Sequence, residues 1–175
     1  MSEPGTGGPR EPAARDALTP VSYVVLRRGD SVLLQLRRGT GHMDGYWASA
    51  AAGHVEAGES AVDAAAREAH EELGIDVADA DLYPLTVLHR TQQGGTGAVG
   101  RVDFFFTCTT WSGRPRIMEA GKAADLQWFR LDALPEPVVP HERYVLERLH
   151  TGLPPIACFG FADPDRADSS IAGHS

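Results

Sequence analysis

Hydrophobic and polar positions near the start of the chain predict two β-strands. Residues 21–28 (VSYVVLRR) and 31–37 (SVLLQLR) are rich in β-branched and aliphatic residues, which favour extended backbone. The Gly29-Asp30 pair between them is typical of a two-residue hairpin turn. We therefore expect the two runs to pair as an antiparallel hairpin.

The hydrophobic spacing changes at residue 60, where it predicts a helix that ends at Leu73. Ser60 is a favourable N-cap residue, and Asp63 stands three positions later, which is close to a capping box. Gly74 follows the last apolar position, where a helix end requires a residue that tolerates positive φ. The buried stripe is expected to consist of Val62, Ala65, Ala66, Ala69 and Leu73.

The rest of the chain predicts more strands and one further helix. Two β-like stretches, residues 82–91 and 99–110, flank a glycine-rich loop at residues 92–97. A short strand is expected at residues 126–131 and a second helix at residues 141–150. This order of elements predicts an α/β protein with a mixed sheet packed between helices.

Length and composition fit one folded domain between polar termini. The chain has 175 residues, of which 42% are hydrophobic, enough for a substantial core. Residues 1–20 contain Gly, Pro and Ala without an apolar segment, and are interpreted as a disordered leader rather than a signal peptide. Residues 161–175 are interpreted as a flexible tail, which leaves residues 21–160 as the folded domain.

Charge and cysteine content narrow the classes of function. The net charge of −8 argues against general nucleic-acid binding, which needs a basic surface. No run approaches the roughly 20 apolar residues of a membrane helix. Cys108 and Cys158 belong to no metal-binding spacing and are expected to be reduced thiols of a cytoplasmic protein.

Three glutamates of the predicted helix form the first candidate for chemistry. Glu68, Glu71 and Glu72 stand at positions i, i+3 and i+4, so they share one strip of the helix surface. A solvated charged face is the common outcome of such a run. The alternative is a metal site, because Mg²⁺ prefers oxygen ligands and bridges to substrate phosphates. The glutamates alone leave both interpretations open.

The sequence around these glutamates resembles the Nudix box, G-x5-E-x7-R-E-U-x-E-E-x-G-U, in which U is a bulky or aliphatic residue. The chain has GHVEAGE at residues 53–59, then seven residues, then REAHEELGI at residues 67–75. Every fixed position is present, and Ala69 is small for its U position. The chain is therefore similar to the Nudix superfamily, and most similar in character to its MutT-type members.

The resemblance implies an α/β/α sandwich and the hydrolysis of a diphosphate linkage in a nucleotide-like compound. It also implies that Glu68, Glu71 and Glu72 bind Mg²⁺, for which Mn²⁺ substitutes. Glu68 is a ligand, the general base, or both. With Glu71 and Arg67 it makes up the expected catalytic set, in which Arg67 pairs with Glu59 or orients the ligating carboxylates.

Residues at the start and end of the motif have expected backbone roles. By resemblance, Gly53 and Gly74 serve backbone geometry rather than contact substrate. The carbonyl of Ala52, directly before the motif, is a candidate metal ligand. Relatives commonly have Leu-Pro-Gly-Gly or Leu-Pro-Ala-Gly at this point, whereas residues 48–52 are ASAAA here. The missing proline leaves the geometry of the Ala52 carbonyl open.

By the same resemblance, candidates outside the motif are expected to meet the substrate or the metal. Arg38 is favoured over Arg37 as the arginine that contacts a substrate phosphate, and the alternative is that the two form a solvated pair. Glu119 is either a further metal ligand or a solvated residue, and Lys122 in the same loop is a candidate for phosphate binding. Arg101 and Asp103 alternate on one face of their strand and face either the site or solvent.

The leading functional hypothesis is hydrolysis of a nucleoside triphosphate, including an oxidised or otherwise non-standard one, to monophosphate and pyrophosphate. The alternatives are hydrolysis of ADP-ribose, a nucleotide sugar or a dinucleoside polyphosphate, a diphosphate isomerase, and a non-catalytic nucleotide sensor. The complete set of motif glutamates argues against the last two. We expect a monomer or homodimer whose partner is a small molecule, not nucleic acid or membrane.

Overall fold

The computed structural model describes residues 17–91 and 100–161 of the chain. The predicted loop at residues 92–97, residues 1–16 of the predicted leader and residues 162–175 of the predicted tail lie outside the described residues. Among the residues that are described, no helix is long and apolar enough to cross a membrane.

The described residues form eight strands, two α-helices and one short 3-10 helix, Asp79–Asp81. In chain order the elements are β1 Thr19–Arg28, β2 Ser31–Arg37, β3 Trp47–Ser49, β4 Ala51–His54, α1 Ala61–Leu73, β5 Tyr83–Arg90, β6 Arg101–Cys108, β7 Ala123–Arg130, α2 Pro140–Leu146 and β8 Ile156–Phe159.

The strands form a mixed sheet in the order β3-β2-β1-β6-β5-β8, with β4 paired to β1 and β7 paired to β2. The pairs β1–β6 and β5–β8 are parallel, whereas β1–β2, β1–β4, β2–β3, β2–β7 and β5–β6 are antiparallel. The predicted hairpin is confirmed, because Arg28 pairs with Ser31 and Gly29 has a φ of 56°.

Strand β1 lies between two hydrophobic cores, one on each face of the sheet. Val24 and Leu26 belong to the core that packs against α1. The alternating residues Tyr23 and Val25 belong to the second core, which includes Val145 of α2. Because the sheet is covered on both faces, the α/β/α sandwich with a mixed sheet is confirmed.

Both ends of helix α1 are capped by the residues that the sequence predicts. Ser60 Oγ accepts a hydrogen bond of 3.1 Å from Asp63 N, and Asp63 Oδ2 accepts one of 3.2 Å from Ser60 N, which completes the capping box. At the other end Gly74 has a φ of 65°, and its N–H donates to His70 O over 2.9 Å. Small buried residues, Ala65 and Ala69, let this helix approach the sheet closely.

Several element boundaries differ from those predicted, because strand pairing extends or adds elements. Strand β1 begins at Thr19, inside the predicted leader, since Thr19 and Pro20 continue the parallel register with β6. Strand β7 begins at Ala123 rather than residue 126, since Ala123 pairs with Arg37 of β2. The sequence analysis missed β8 entirely, since its four residues are ordered by pairing with β5.

The second helix is shorter than predicted. It covers Pro140–Leu146, whereas the sequence suggested residues 141–150. After it the chain continues in turns, in which Arg148 N donates to Val145 O over 3.1 Å. Gly152 then takes a φ of 91°, which a helix cannot accommodate.

Candidate active site

The glutamate strip of α1 lies along a cavity of about 390 Å³. The helical spacing brings Glu68, Glu71 and Glu72 to the same wall, as predicted. Their exposure differs: the side chain of Glu68 is 12% exposed and that of Glu71 is 55% exposed. Among the described residues, five carboxylates and three cations line the cavity: Glu56, Glu68, Glu71, Glu72, Glu119, Arg37, Arg67 and Lys122.

Arg67 connects the helix to the loop that precedes it. Its Nε and Nη2 donate to the two oxygens of Glu59 over 2.8 and 3.1 Å. Its Nη1 donates to Glu68 over 2.7 Å and to Glu71 over 3.1 Å, and Nη2 also reaches His54 O at 3.0 Å. Both roles expected for Arg67, pairing with Glu59 and orienting carboxylates, are thus combined in one guanidinium. These carboxylates also raise the pKa of Arg67, so it stays charged.

Glu72 contacts the backbone rather than Arg67. Its Oε2 accepts a hydrogen bond of 2.9 Å from the N–H of Ala52. Loss of solvent raises the pKa of Glu72 to about 7, an effect that the Ala52 N–H opposes and the charges of Glu68 and Glu119 increase. When no metal cation is bound, Glu72 therefore ionises less readily than an ordinary glutamate.

Gly53 is required for space rather than for an unusual backbone angle. A Cβ atom placed on it would lie 1.8 Å from Glu68 Oε1, far inside van der Waals contact. Gly74, in contrast, has the positive φ that the sequence analysis anticipated. The first glycine of the motif thus lets the Glu68 carboxylate lie directly against the backbone of β4.

A loop between β6 and β7 also contributes residues to the cavity. In it, Lys122 Nζ lies 2.7 Å from Glu119 Oε2, and both residues line the cavity. The loop is attached to the end of α1, because Met118 N donates to Glu72 O over 3.0 Å. The structure therefore brings both candidates from this loop to the glutamate strip.

Arg37, rather than Arg38, reaches the cavity. Arg37 donates to Thr40 Oγ1 over 3.1 Å and to His42 O over 3.2 Å, which holds its guanidinium on the lining. Arg38 instead donates to Ala120 O and is not among the described residues that line the cavity. Alternation along β2 is the signal that could have found Arg37, since Gln35 on the same face also lines the cavity.

A second group of ionisable residues lies in the core beside α2, and we call it the buried polar cluster: Tyr23, Arg90, Asp103, His141 and Glu142. Arg90 Nε donates to Asp103, which is fully buried, and Tyr23 Oη lies 3.1 Å from His141 Nε2. Burial raises the pKa of Asp103 and lowers that of His141 to about 3, so the imidazole stays neutral. Asp103 therefore faces the interior, neither the site nor solvent.

Arg101 is not among the described residues that line the cavity. It begins β6 and pairs with Arg90 of β5 and with Thr19 of β1. The sequence analysis missed the buried polar cluster because its members come from four distant segments, and nothing in the local sequence indicates that these polar residues are buried.

The donor set of the glutamate strip suits a hard divalent cation. Among residues 17–91 and 100–161, no three His, Cys, Asp or Glu side chains converge closely enough to form a ready-made metal site. Arg67 holds one oxygen each of Glu68 and Glu71, and Ala52 N–H holds one of Glu72. The second oxygen of each remains without a hydrogen bond among the described residues, which leaves three carboxylate donors for a cation such as Mg²⁺.

The family follows from a match over most of the chain. A family model described as NUDIX domain matches residues 18–149. The chain belongs to the NUDIX family. The motif resemblance is thereby confirmed, and the match covers all of the elements described above from β1 to α2.

Individual relatives agree with this assignment. The chain is 32% identical over 128 residues to an isopentenyl-diphosphate Delta-isomerase of Jannaschia, covering 69% of this chain and 72% of the relative. It is 33% identical over 137 residues to the NAD-capped RNA hydrolase NudC of Pseudomonas aeruginosa, covering 75% of this chain but only 42% of NudC. The chain thus spans less than half the length of NudC.

A solved structure shows the same fold. The crystal structure of a MutT NUDIX hydrolase from Burkholderia pseudomallei superposes with a TM-score of 0.68 and 27% sequence identity, covering 76% of this chain and 98% of that one. Family membership and the named hydrolases identify this protein as an enzyme of the same class, a Nudix hydrolase that acts on a diphosphate-linked substrate.

Proposed function

We propose that this Nudix hydrolase cleaves a nucleoside triphosphate, including an oxidised or otherwise non-standard one, to monophosphate and pyrophosphate with Mg²⁺. The observation that carries the proposal is the cavity itself. Its lining combines the Glu68, Glu71 and Glu72 strip with the cationic side chains of Arg37 and Lys122. A polyphosphate is bound by both components. A metal ion coordinates some of its oxygens together with the carboxylates, and positive side chains bind its remaining oxygens.

The glutamate strip and the Ala52 carbonyl would hold the cation. When bound, Mg²⁺ supplies polarisation of the phosphorus–oxygen bond and a water of lowered pKa. We assign Glu68 as a ligand and as the base that takes the proton of the attacking water. Glu71 and Glu72 are ligands only, and Mn²⁺ substitutes for Mg²⁺.

The cations have separate tasks in the proposed reaction. Arg67 binds Glu59, Glu68 and Glu71 at once, so it orients the strip and is not free to bind substrate. Arg37 and Lys122 line the cavity on other elements, and we assign substrate phosphate to them. Glu119 stays a candidate for a further metal ligand, since its carboxylate lies 2.7 Å from Lys122 at the same cavity.

The resemblance of the motif to MutT-type members is the basis for preferring a triphosphate over other diphosphates, and the similarity to a solved MutT NUDIX hydrolase agrees with that resemblance. Two relatives are named for an isomerase of a diphosphate and for a hydrolase of NAD-capped RNA. The intact glutamate set argues against isomerisation, and the net charge of −8 argues against an RNA substrate. A cytoplasmic location and a monomeric or homodimeric state stay predictions.

A substrate screen tests the proposal. Canonical and oxidised nucleoside triphosphates, ADP-ribose, nucleotide sugars, dinucleoside polyphosphates, an NAD-capped RNA and isopentenyl diphosphate would be incubated with Mg²⁺ or Mn²⁺, and products identified by mass spectrometry. We expect the highest kcat/KM for a triphosphate, with pyrophosphate as product. Preference for any other compound, or isomerisation without hydrolysis, would contradict the proposal.

A further inference from the structure

The connection between β3 and β4 is held from both faces of the sheet. The N–H of Ser49 donates to Glu142 of α2. Three residues later, the N–H of Ala52 donates to Glu72 of α1 over 2.9 Å. Glu142 is 3% exposed, so its contact with Ser49 is shielded from water. Each helix therefore uses one carboxylate to bind the same short segment.

Beyond its strand pairing with β2 and β1, this segment is held by hydrogen bonds rather than by large side chains. Residues 48–52 are ASAAA, which contain no proline and no side chain longer than that of serine. The side chains of residues 48–51 are buried but short, so each contributes little contact area, and the backbone bends at Ala50 between the two short strands. Hydrogen bonds to the backbone are therefore the main restraint that the segment has.

Helix α2 is itself attached to β3, which places Glu142 accurately. Trp47 N donates to Pro137 O over 2.8 Å, and Val139 N donates to Trp47 O over 2.9 Å. Trp47 and Val138 form a parallel bridge. Because Glu142 lies only three residues beyond Val139, its carboxylate is fixed relative to the strand that it contacts.

Apolar packing in the core does not account for a carboxylate at this position. Glu142 lies in α2 beside the core residues Val145 and Leu146. Burial raises the pKa of Glu142 to about 7, an effect that Ser49 and Arg37 oppose and Asp103 increases. An apolar side chain of similar volume would avoid the desolvation of a carboxylate but would leave the buried Ser49 N–H without an acceptor. The carboxylate therefore points to a role at the group that it binds.

We propose that Glu142 is a positioning residue of the metal site. By holding the Ser49 N–H, it fixes the segment that ends in the Ala52 carbonyl and in Gly53, against which Glu68 lies. The backbone that the glutamates of α1 contact is then already in place, although this segment has no proline to make it rigid. This inference rests on the proposed metal-dependent function.

The test is a Mn²⁺ titration of matched variants. Glu142→Gln keeps an acceptor for Ser49 N–H, whereas Glu142→Met keeps the length of the side chain and removes the acceptor. Glu147→Gln, an exposed residue of the same helix end that pairs with Arg143, is the control. Free Mn²⁺, titrated without substrate, would be followed by electron paramagnetic resonance on protein shown to be folded.

We expect Glu142→Met to weaken Mn²⁺ binding by about 10-fold or more, the size of effect seen when a group that orients metal ligands is removed. The Mn²⁺ affinity of Glu142→Gln should stay within about 3-fold of that of wild type. The Mn²⁺ affinity of Glu147→Gln should equal that of wild type. Excess Mn²⁺ should restore most of the kcat of Glu142→Met, which a partly unfolded enzyme would not show.

Folded Glu142→Met that binds Mn²⁺ as wild type does would overturn the inference. Should Glu142→Met not fold, amide hydrogen exchange of the wild-type protein decides: Mn²⁺ must slow exchange at both Ser49 and Ala52, and an unchanged Ser49 would overturn it. A wild-type protein that binds no Mn²⁺ would instead contradict the proposed function.

Discussion

Glu72 and Glu142 make the same contact on opposite sides of one strand connection, yet their surroundings differ. Each accepts a hydrogen bond from a backbone N–H, and burial raises the pKa of each to about 7. Glu72 lines a cavity with other carboxylates, where a cation can neutralise it. Glu142 is buried in the core and is not among the described residues that line the cavity, so its role is confined to the backbone that it holds.

The two regions also use ion pairs differently. Around the cavity, Arg67 and Glu68 are 25% and 12% exposed, and the guanidinium is divided among three carboxylates. In the buried polar cluster, Arg90 and Asp103 are 12% and 0% exposed. A pair with solvent access can rearrange when a ligand binds, whereas a pair in the core is fixed by the packing around it. This difference supports the proposal that the first region carries the chemistry and the second stabilises the fold.

Glu71→Gln should produce the largest effect, and it should fall on activity alone. Loss of one metal ligand is expected to remove about 4 kcal/mol of transition-state stabilisation, or about 1,000-fold in kcat. Because Glu71 is 55% exposed, the free energy of unfolding should change little. Steady-state kinetics and urea denaturation measure the two quantities, and a kcat near that of wild type would refute the metal role.

Asp103→Asn should show the opposite pattern. Its main effect should be on the free energy of unfolding, and the effect on kcat of the folded enzyme should be smaller when both are expressed as free energies. The change leaves the charge of Arg90 uncompensated in the core, which is expected to reduce the free energy of unfolding by about 3 to 4 kcal/mol. Asp132→Asn is the matched control, because its partner Arg130 is 63% exposed and such pairs contribute less than about 1 kcal/mol. Equal losses in the two variants would mean that burial of the first pair has no special effect.

The pH dependence of stability isolates Glu142. Its pKa is about 7 in the folded protein and near 4.5 in the unfolded chain, so the unfolded state ionises first as pH rises. Below about pH 4.5 the protonated Glu142 contributes its full stabilisation of the folded state, about 3 kcal/mol at most. This stabilisation decreases as pH rises and is lost by about pH 7. The difference in unfolding free energy between wild type and Glu142→Gln should change across this range. If the difference in unfolding free energy stays constant across this range, Glu142 does not titrate there.

Gly53→Ala tests the close contact between the motif and Glu68. The added Cβ displaces a carboxylate that would lie 1.8 Å away, and we expect kcat to fall by about 10-fold, or about 1.4 kcal/mol. Gly121→Ala is the control, since a Cβ there meets nothing within 4 Å. Similar activities of the two variants would show that Glu68 adjusts without loss.

Ser60→Ala should have the smallest effect, confined to the stability of α1. Removal of the N-cap hydroxyl leaves Asp63 N without its acceptor and is expected to reduce the free energy of unfolding by about 1 kcal/mol. Because the cap lies at the far end of the helix from Glu71 and Glu72, kcat of the folded enzyme should not change. A large loss of kcat would mean that the whole helix, not only the strip, is needed in place.

Sequence reasoning succeeded where the relevant contacts are local. The motif and the caps of α1 lie within a continuous stretch of chain, so helical spacing alone places the glutamates beside one another and beside Arg67. It was less successful where strand pairing decides. Arg37 replaced Arg38 at the cavity because of the face of β2 that it occupies, and β8 exists only through its pairing with β5.

The buried polar cluster marks the limit of such reasoning. Asp103 and Arg90 lie on adjacent strands that are close only in the folded sheet, and Glu142 contacts Ser49 across 93 residues of sequence. A single sequence indicates their charge but not their burial, and burial is what separates their role from that of the motif glutamates.

The most direct test of the central claim is turnover of a nucleoside triphosphate in ¹⁸O-labelled water, followed by ³¹P nuclear magnetic resonance with Mg²⁺ and with EDTA. The proposed function predicts monophosphate and pyrophosphate as the products, with one ¹⁸O on one of them, and turnover only when Mg²⁺ is present. Release of orthophosphate with diphosphate, or equal turnover in EDTA, would contradict it.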